Sequence, residues 1–172
     1  LAQKTEVMIE HFRQVTMKRI GGKAKAMVVT ASREHVVRYK YEFDRYLKEK
    51  NYKDIKVLVA FSGTVLLDGI PPEYTEPGMN GFGEKELPEK FATAEYQILL
   101  VAEKYQTGYD EPLLHTMYVD KRLDGVKAVQ TLCRLNRTCP GKEDTFILDF
   151  VNKREDILAA FQPYYEQTQL SD

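Results

Sequence analysis

Five short apolar segments, at residues 24–30, 55–61, 96–103, 114–119 and 145–151, alternate along the chain with stretches of helical spacing. Several of them are apolar on consecutive rather than alternate residues. Such a segment is buried on both sides, the condition of a strand inside a parallel sheet covered by helices. Parallel neighbours cannot be joined by tight turns and need crossovers, which the intervening stretches supply. The stretch 32–50 opens with Ser32 as a capping residue and lays Val36, Tyr39, Phe43, Tyr46 and Leu47 on one stripe. An earlier helix is expected over 4–20, ended by Gly21-Gly22, and others over 88–95, 126–135 and 153–165. The expected fold class is therefore α/β, a parallel sheet with helices on both faces.

At 172 residues, 43% hydrophobic and 30% charged, the chain suits one domain with a substantial core. The expected layout is a lead-in helix over 1–23, the α/β domain over 24–165 and a tail over 166–172. Residues 64–93 are rich in Gly, Pro and acids and include Pro71-Pro72 and Gly78-Met79-Asn80-Gly81. They are expected to form an irregular, partly mobile insertion or functional loop. No apolar run approaches membrane-spanning length and no signal-peptide pattern opens the chain. Cys133 and Cys139 have no histidine cluster nearby, so free thiols, no metal site and a cytoplasmic setting are expected. Because the chain starts at Leu1 rather than Met, it is expected to be a piece of a longer protein.

Net charge is -1, but residues 1–60 carry 14 Lys/Arg against 7 Asp/Glu, and residues 61–111 carry 3 against 10. Any electrostatic footprint for nucleic acid is expected in the first third, and a strongly basic, free-standing DNA binder is excluded.

The most telling motif is Gln130-Thr131-Leu132-Cys133-Arg134-Leu135-Asn136-Arg137. Offsets of four and seven fall on one helix face, so Gln130, Arg134 and Arg137 are expected to point at one target. Two convergent guanidiniums suit a polyphosphate. The alternative is an exposed basic face paired with acids such as Asp124 and Glu143. Turns at 30–33, 62–63 and 107–110 add hydroxyls and glycines of the kind that meet phosphate oxygens, although Ser32 alone reads first as a helix cap. No glycine-rich Lys-Ser/Thr phosphate loop, no Walker B acidic pair and no Ser-His-Asp or Cys-His set appears. His11, His35 and His115 fall on separate elements, His115 inside a buried-looking strand. If nucleotide is hydrolysed, another domain supplies the phosphate cradle.

Residues 130–137 resemble motif VI of superfamily 2 helicases and translocases, and Thr107-Gly108 with Asp110 resembles their motif V. Ala60-Phe61-Ser62-Gly63-Thr64, Gln106-Thr107-Gly108-Tyr109-Asp110-Glu111-Pro112, Met117-Tyr118-Val119-Asp120-Lys121 and Ala128–Arg137 together resemble the restriction (R) subunit of type I restriction-modification enzymes. The resemblance covers residues 4–165 and departs at Cys133, where glycine or serine is common. It implies the second RecA-like motor domain, taking part in ATP-dependent translocation of double-stranded DNA that leads to cleavage by the intact enzyme. In that reading Arg134 and Arg137 reach the γ-phosphate as catalytic residues. Gln130, Gly108 and Asp110 join them at ATP, while Thr30, Ser32, Arg33, Ser62, Gly63 and Thr107 face DNA. ATP with Mg2+ would be bound mainly by the first motor domain, and none by the isolated fragment, which lacks Walker A, Walker B and nuclease motifs. The implied partners are double-stranded DNA, the modification and specificity subunits, and the preceding motor and nuclease domains, with no membrane. Alternatives are another superfamily 2 motor, or a non-catalytic α/β interaction domain.

Overall fold

Alternate residues of the central strands part to opposite sides of one parallel sheet, and each side is roofed by helices. The computed structural model describes residues 1–105 and 109–171, with side chains through Tyr164. In chain order the elements are α1 (Ala2–Gln14), β1 (Lys25–Thr30), α2 (Arg33–Glu49), β2 (Val57–Ala60), β3 (Thr64–Leu67), β4 (Ile70–Thr75), α3 (Glu76–Asn80), α4 (Leu87–Phe91), β5 (Ile98–Val101), β6 (Leu114–Asp120), α5 (Gly125–Leu132), β7 (Phe146–Asp149) and α6 (Arg154–Ser171). The main sheet has the order β2-β5-β1-β6-β7, and every pairing in it is parallel.

β1 sits at the centre, with Ala26, Met27, Val28 and Val29 fully buried. Ala26 and Val28 turn with Val59, Leu100 and Tyr118 toward α1 and α2. Met27 and Val29 turn with Leu58, Leu99, Met117 and Val119 toward α4, α5 and α6. Burying each such aliphatic side chain is worth about 1.5–3 kcal/mol, so the two layers carry most of the favourable energy.

α1 is part of this core rather than an appendage. Met8, Ile9 and Phe12 are fully buried against α2 and the sheet. Polar contacts fix its register: Lys4 Nζ lies 2.9 Å from Asp120 Oδ1, His11 Nδ1 2.7 Å from the Tyr118 hydroxyl, and Thr16 Oγ1 2.7 Å from Thr116 Oγ1.

The expectation of an irregular segment over 64–93 is corrected. β3 and β4 form an antiparallel hairpin with Val65 opposite Tyr74, and α3 follows with Thr75 Oγ1 accepting from the Gly78 amide at 3.1 Å. Prolines hide β4 from a sequence reading because they cannot donate to a ladder; here they stand in a two-stranded ribbon whose residues Ile70–Glu73 are exposed. α3 then covers the free edge of β2. The Phe61 amide donates to Glu76 Oε1 at 3.1 Å, the Val59 amide to Asn80 Oδ1 at 2.9 Å, and Asn80 Nδ2 to the Val59 carbonyl at 2.8 Å. Glu76 and Asn80 are four apart on one helical face, the spacing needed to reach alternate residues of the strand. α6 continues through the residues expected as a tail.

Candidate functional site

In a parallel sheet ligands meet the carboxyl ends of the strands, so the turns after β1 and β2 come first. Ser32 caps α2, its Oγ accepting from the His35 amide at 3.2 Å and lying 2.6 Å from His35 Nδ1. Arg33 is exposed and donates from Nη1 to the Ser62 carbonyl at 2.8 Å, which ties the two turns into one shelf. Gly63 has φ +75°, and a Cβ there would stand 2.9 Å from Arg33 Nη1, so glycine is what lets the guanidinium approach. Ser62 and Gly63 are exposed. Thr30 is turned inward: it is fully buried and donates to the Val101 carbonyl at 3.0 Å and the Ser32 carbonyl at 3.2 Å. Its hydroxyl shapes the turn that presents Ser32 and Arg33. Thr107 and Gly108 lie outside the described residues.

Many cations of the first third are already paired along helix faces or to nearby acids. Arg13 lies 2.6 Å from Asp54, Lys40 2.7 Å from Asp44, and Arg45 bridges Glu42 and Glu49. These pairs neutralise part of the charge excess read from the sequence, and the turns at the carboxyl edge carry Arg33. Arg33, through Ser62, is the cation that joins the turns there.

The arginine motif is built differently from its expected geometry. α5 closes at Leu132, a 3-10 turn spans Cys133–Asn136, and Arg137 is extended. Three residues per turn replace 3.6, so Gln130, Arg134 and Arg137 do not share one continuous helix face. Gln130 is exposed on α5. What gathers the arginines is the chain before β6. Arg134 donates from Nη1 to the Tyr109 carbonyl at 3.3 Å and from Nε to the Gln130 carbonyl at 3.3 Å, while Arg137 Nε lies 2.9 Å from Asp110 Oδ1. Asp124, weighed above as a neutralising acid, faces Arg122 instead. Tyr109 is buried in the layer beneath α5, and burial pushes its hydroxyl well above the ordinary tyrosine range.

Two lysines that sequence reasoning passed over hold this region together. Lys142 Nζ donates to the Leu135 carbonyl at 2.8 Å and the Pro112 carbonyl at 3.2 Å, and also to that of Arg137. Lys104 lies 2.9 Å from Glu76 and 2.8 Å from Glu84. Neither sits in a recognisable motif; a lysine whose three protons are consumed by distant carbonyls leaves no trace in local sequence. Among the described residues no group of three or more His, Cys, Asp or Glu side chains is placed to hold a metal ion.

Residues 72–152 match a family described as type I restriction enzyme subunit R domain 3. The sequence named as the endonuclease subunit of the type I restriction enzyme MjaIXP of Methanocaldococcus jannaschii is 31% identical over 168 residues, 95% of this chain. Its MjaVIIP counterpart is 35% identical over 140 residues, 75% of this chain. The chain belongs to the R subunits of type I restriction enzymes. It spans only 15% of the length of the first of those relatives and 13% of the second. The fold agrees: a fragment of an HsdR subunit of a type I restriction enzyme from Vibrio vulnificus superposes with a TM-score of 0.57 at 19% identity, covering 95% of this chain and 28% of that one. The architecture is that of RecA-like helicase carboxyl-terminal domains. Within the R subunit domain, the family match begins at Pro72, so α3 lies inside the shared region and β3 outside it.

Proposed function

We propose that this domain is the second motor domain of an R subunit and takes part in ATP-dependent translocation of double-stranded DNA, which leads to cleavage by the intact enzyme. The observation that carries the reading is the placement of Arg134 and Arg137 against one segment, Tyr109-Asp110, on a domain whose carboxyl edge holds the Arg33–Ser62–Gly63 shelf. Arg134 is half-buried and fixed through two carbonyls, so its guanidinium is pre-oriented. Arg137 faces Asp110 in an exposed pair, with relative exposures of 61% and 55%. An exposed ion pair is worth about 0–1 kcal/mol, so exchanging the carboxylate for a phosphate costs little.

ATP, as substrate, would be held mainly by the preceding motor domain, with these guanidiniums meeting its γ-phosphate across a cleft. Charge spread over a transferring phosphoryl group is what a bidentate guanidinium neutralises best. Mg2+ would be held with the nucleotide, mainly by that preceding domain. Loss of the γ-phosphate would release the arginines and reopen the cleft, a differential contact that shifts one conformation to another. The shelf at Ser32, Arg33, Ser62 and Gly63 would grip the DNA backbone, contacts that carry no base sequence. Target choice and methylation would then fall to the specificity and modification subunits, and cleavage to a nuclease domain of the same chain.

DNA-stimulated ATP hydrolysis by the full-length subunit, assembled with its partners, tests the reading. Arg137→Ala should lower turnover about a thousandfold with DNA binding intact. Unchanged turnover would remove Arg137 from the chemistry and return the chain to a non-catalytic role.

A further inference from the structure

We infer that Glu76 is a positioning residue whose single carboxylate couples the Ser62-Gly63 turn to the segment that seats the arginines. The inference rests on the motor reading above. Glu76 Oε1 accepts from the Phe61 amide at 3.1 Å and from Lys104 Nζ at 2.9 Å. Phe61 leads directly into Ser62-Gly63. Lys104 leads into Tyr105, whose ring centroid lies 4.7 Å from that of Tyr109, and the Tyr109 carbonyl receives Arg134. One oxygen atom therefore anchors the roots of both patches.

Covering the edge of β2 does not account for this arrangement. Asn80 already does so with a neutral amide, giving its acceptor and its donor to Val59. Glu76 is a carboxylate only 2% exposed, and its Oε2 has no hydrogen-bond partner. Burial pushes its carboxyl above the ordinary range, although Lys104 and the Phe61 amide pull the other way. A buried charge pair of this kind is a poor source of stability compared with apolar packing, and its best-attested use is to fix register. Lys104 is held on its other side by Glu84, so the ammonium is clamped between two carboxylates of the segment that follows β2. Tyr105, with φ +60°, lies 5.3 Å beneath the Lys104 ammonium at its ring centroid. A shift of Lys104 would move the Tyr105–Tyr109 ring pair, and with it the carbonyl on which Arg134 rests.

The test uses full-length R subunit assembled with its partner subunits, measuring ATP turnover with and without duplex DNA alongside thermal melting. Glu76→Gln keeps an acceptor for the Phe61 amide and loses the charge facing Lys104. It should lower the DNA-stimulation ratio about tenfold. Lys104→Met should reproduce the loss, and Lys104→Arg should restore most of it. A lowered melting temperature with an unchanged stimulation ratio in both Glu76→Gln and Lys104→Met would make the pair merely structural and overturn the inference. Arg137→Ala assayed in parallel separates the two failures. Unchanged turnover there overturns the motor reading and the inference with it. Collapsed turnover there, with unaltered stimulation in Glu76→Gln, overturns the inference alone.

Discussion

Lys142 Nζ donates to the Leu135 carbonyl at 2.8 Å, pinning the turn that carries Arg134. The same ammonium reaches the Pro112 and Arg137 carbonyls, so its three protons meet three acceptors drawn from two separate stretches of chain. Burial lowers its pKa, with Cys139 and Glu111 opposing the shift.

Lys142→Met keeps the aliphatic stem and abandons those carbonyls. Hydrogen bonds to a charged donor contribute about 1.5–3 kcal/mol, and carbonyls open to water recover part of the loss. The expected cost is about 2–3 kcal/mol, read as a lower urea midpoint at constant slope. A midpoint equal to wild type would show that the 3-10 turn holds itself and that Lys142 merely decorates it.

Where burial on both faces governs a segment, the sequence was legible. β1 and β5 are apolar runs because no side of them reaches water, and Ser32 announces α2 because its hydroxyl serves the open amides of the first turn. His115, read as lying inside a buried strand, is buried with Nε2 2.8 Å from Asp144. What stayed hidden depends on partners distant in sequence. β4 carries two prolines and an exposed face, so neither periodicity nor propensity marks it. The geometry of the arginine motif was not legible. Spacing predicts one helix face, whereas α5 ends before Cys133 and Tyr109-Asp110 does the gathering. Nothing local to Glu76, Lys104 or Lys142 distinguishes a buried clamp from an ordinary surface charge.

The packing of α1 makes a second measurable claim. Phe12 is fully buried among residues of α2 and the sheet, so Phe12→Ala should cost about 3–5 kcal/mol, the range for emptying an aromatic site in a core. A helix that merely led into the domain would lose no more than about 0.5 kcal/mol on the same change. Chemical denaturation distinguishes the two. A small shift would mean that residues 1–23 stand outside the cooperative unit.

Lys25 offers a pH-dependent test of the opposite sheet edge. Its Nζ donates to the Thr93 carbonyl at 2.7 Å and to that of Tyr96, with the ring centroid of Phe91 5.1 Å away. Burial lowers its pKa from 10.5 to about 8, with Glu111 opposing the shift. The folded pKa lies below the unfolded one, so between these values the unfolded chain binds more protons and stability rises with pH. The burial penalty is fully present below about pH 8 and fades as pH climbs toward the ordinary lysine range. A full shift of this size corresponds to something on the order of 3 kcal/mol. Tyr39, Tyr109 and Tyr118 are all pushed upward, so their ionisation in the unfolded chain works against stability near the top of that range. Comparing wild type with Lys25→Met removes their contribution, since both proteins carry the same tyrosines. From about pH 8 to about pH 9.5, urea midpoints of the wild type should rise relative to those of Lys25→Met. Parallel profiles would mean that the ammonium keeps its charge inside the fold, with the Thr93 and Tyr96 carbonyls compensating its burial in full.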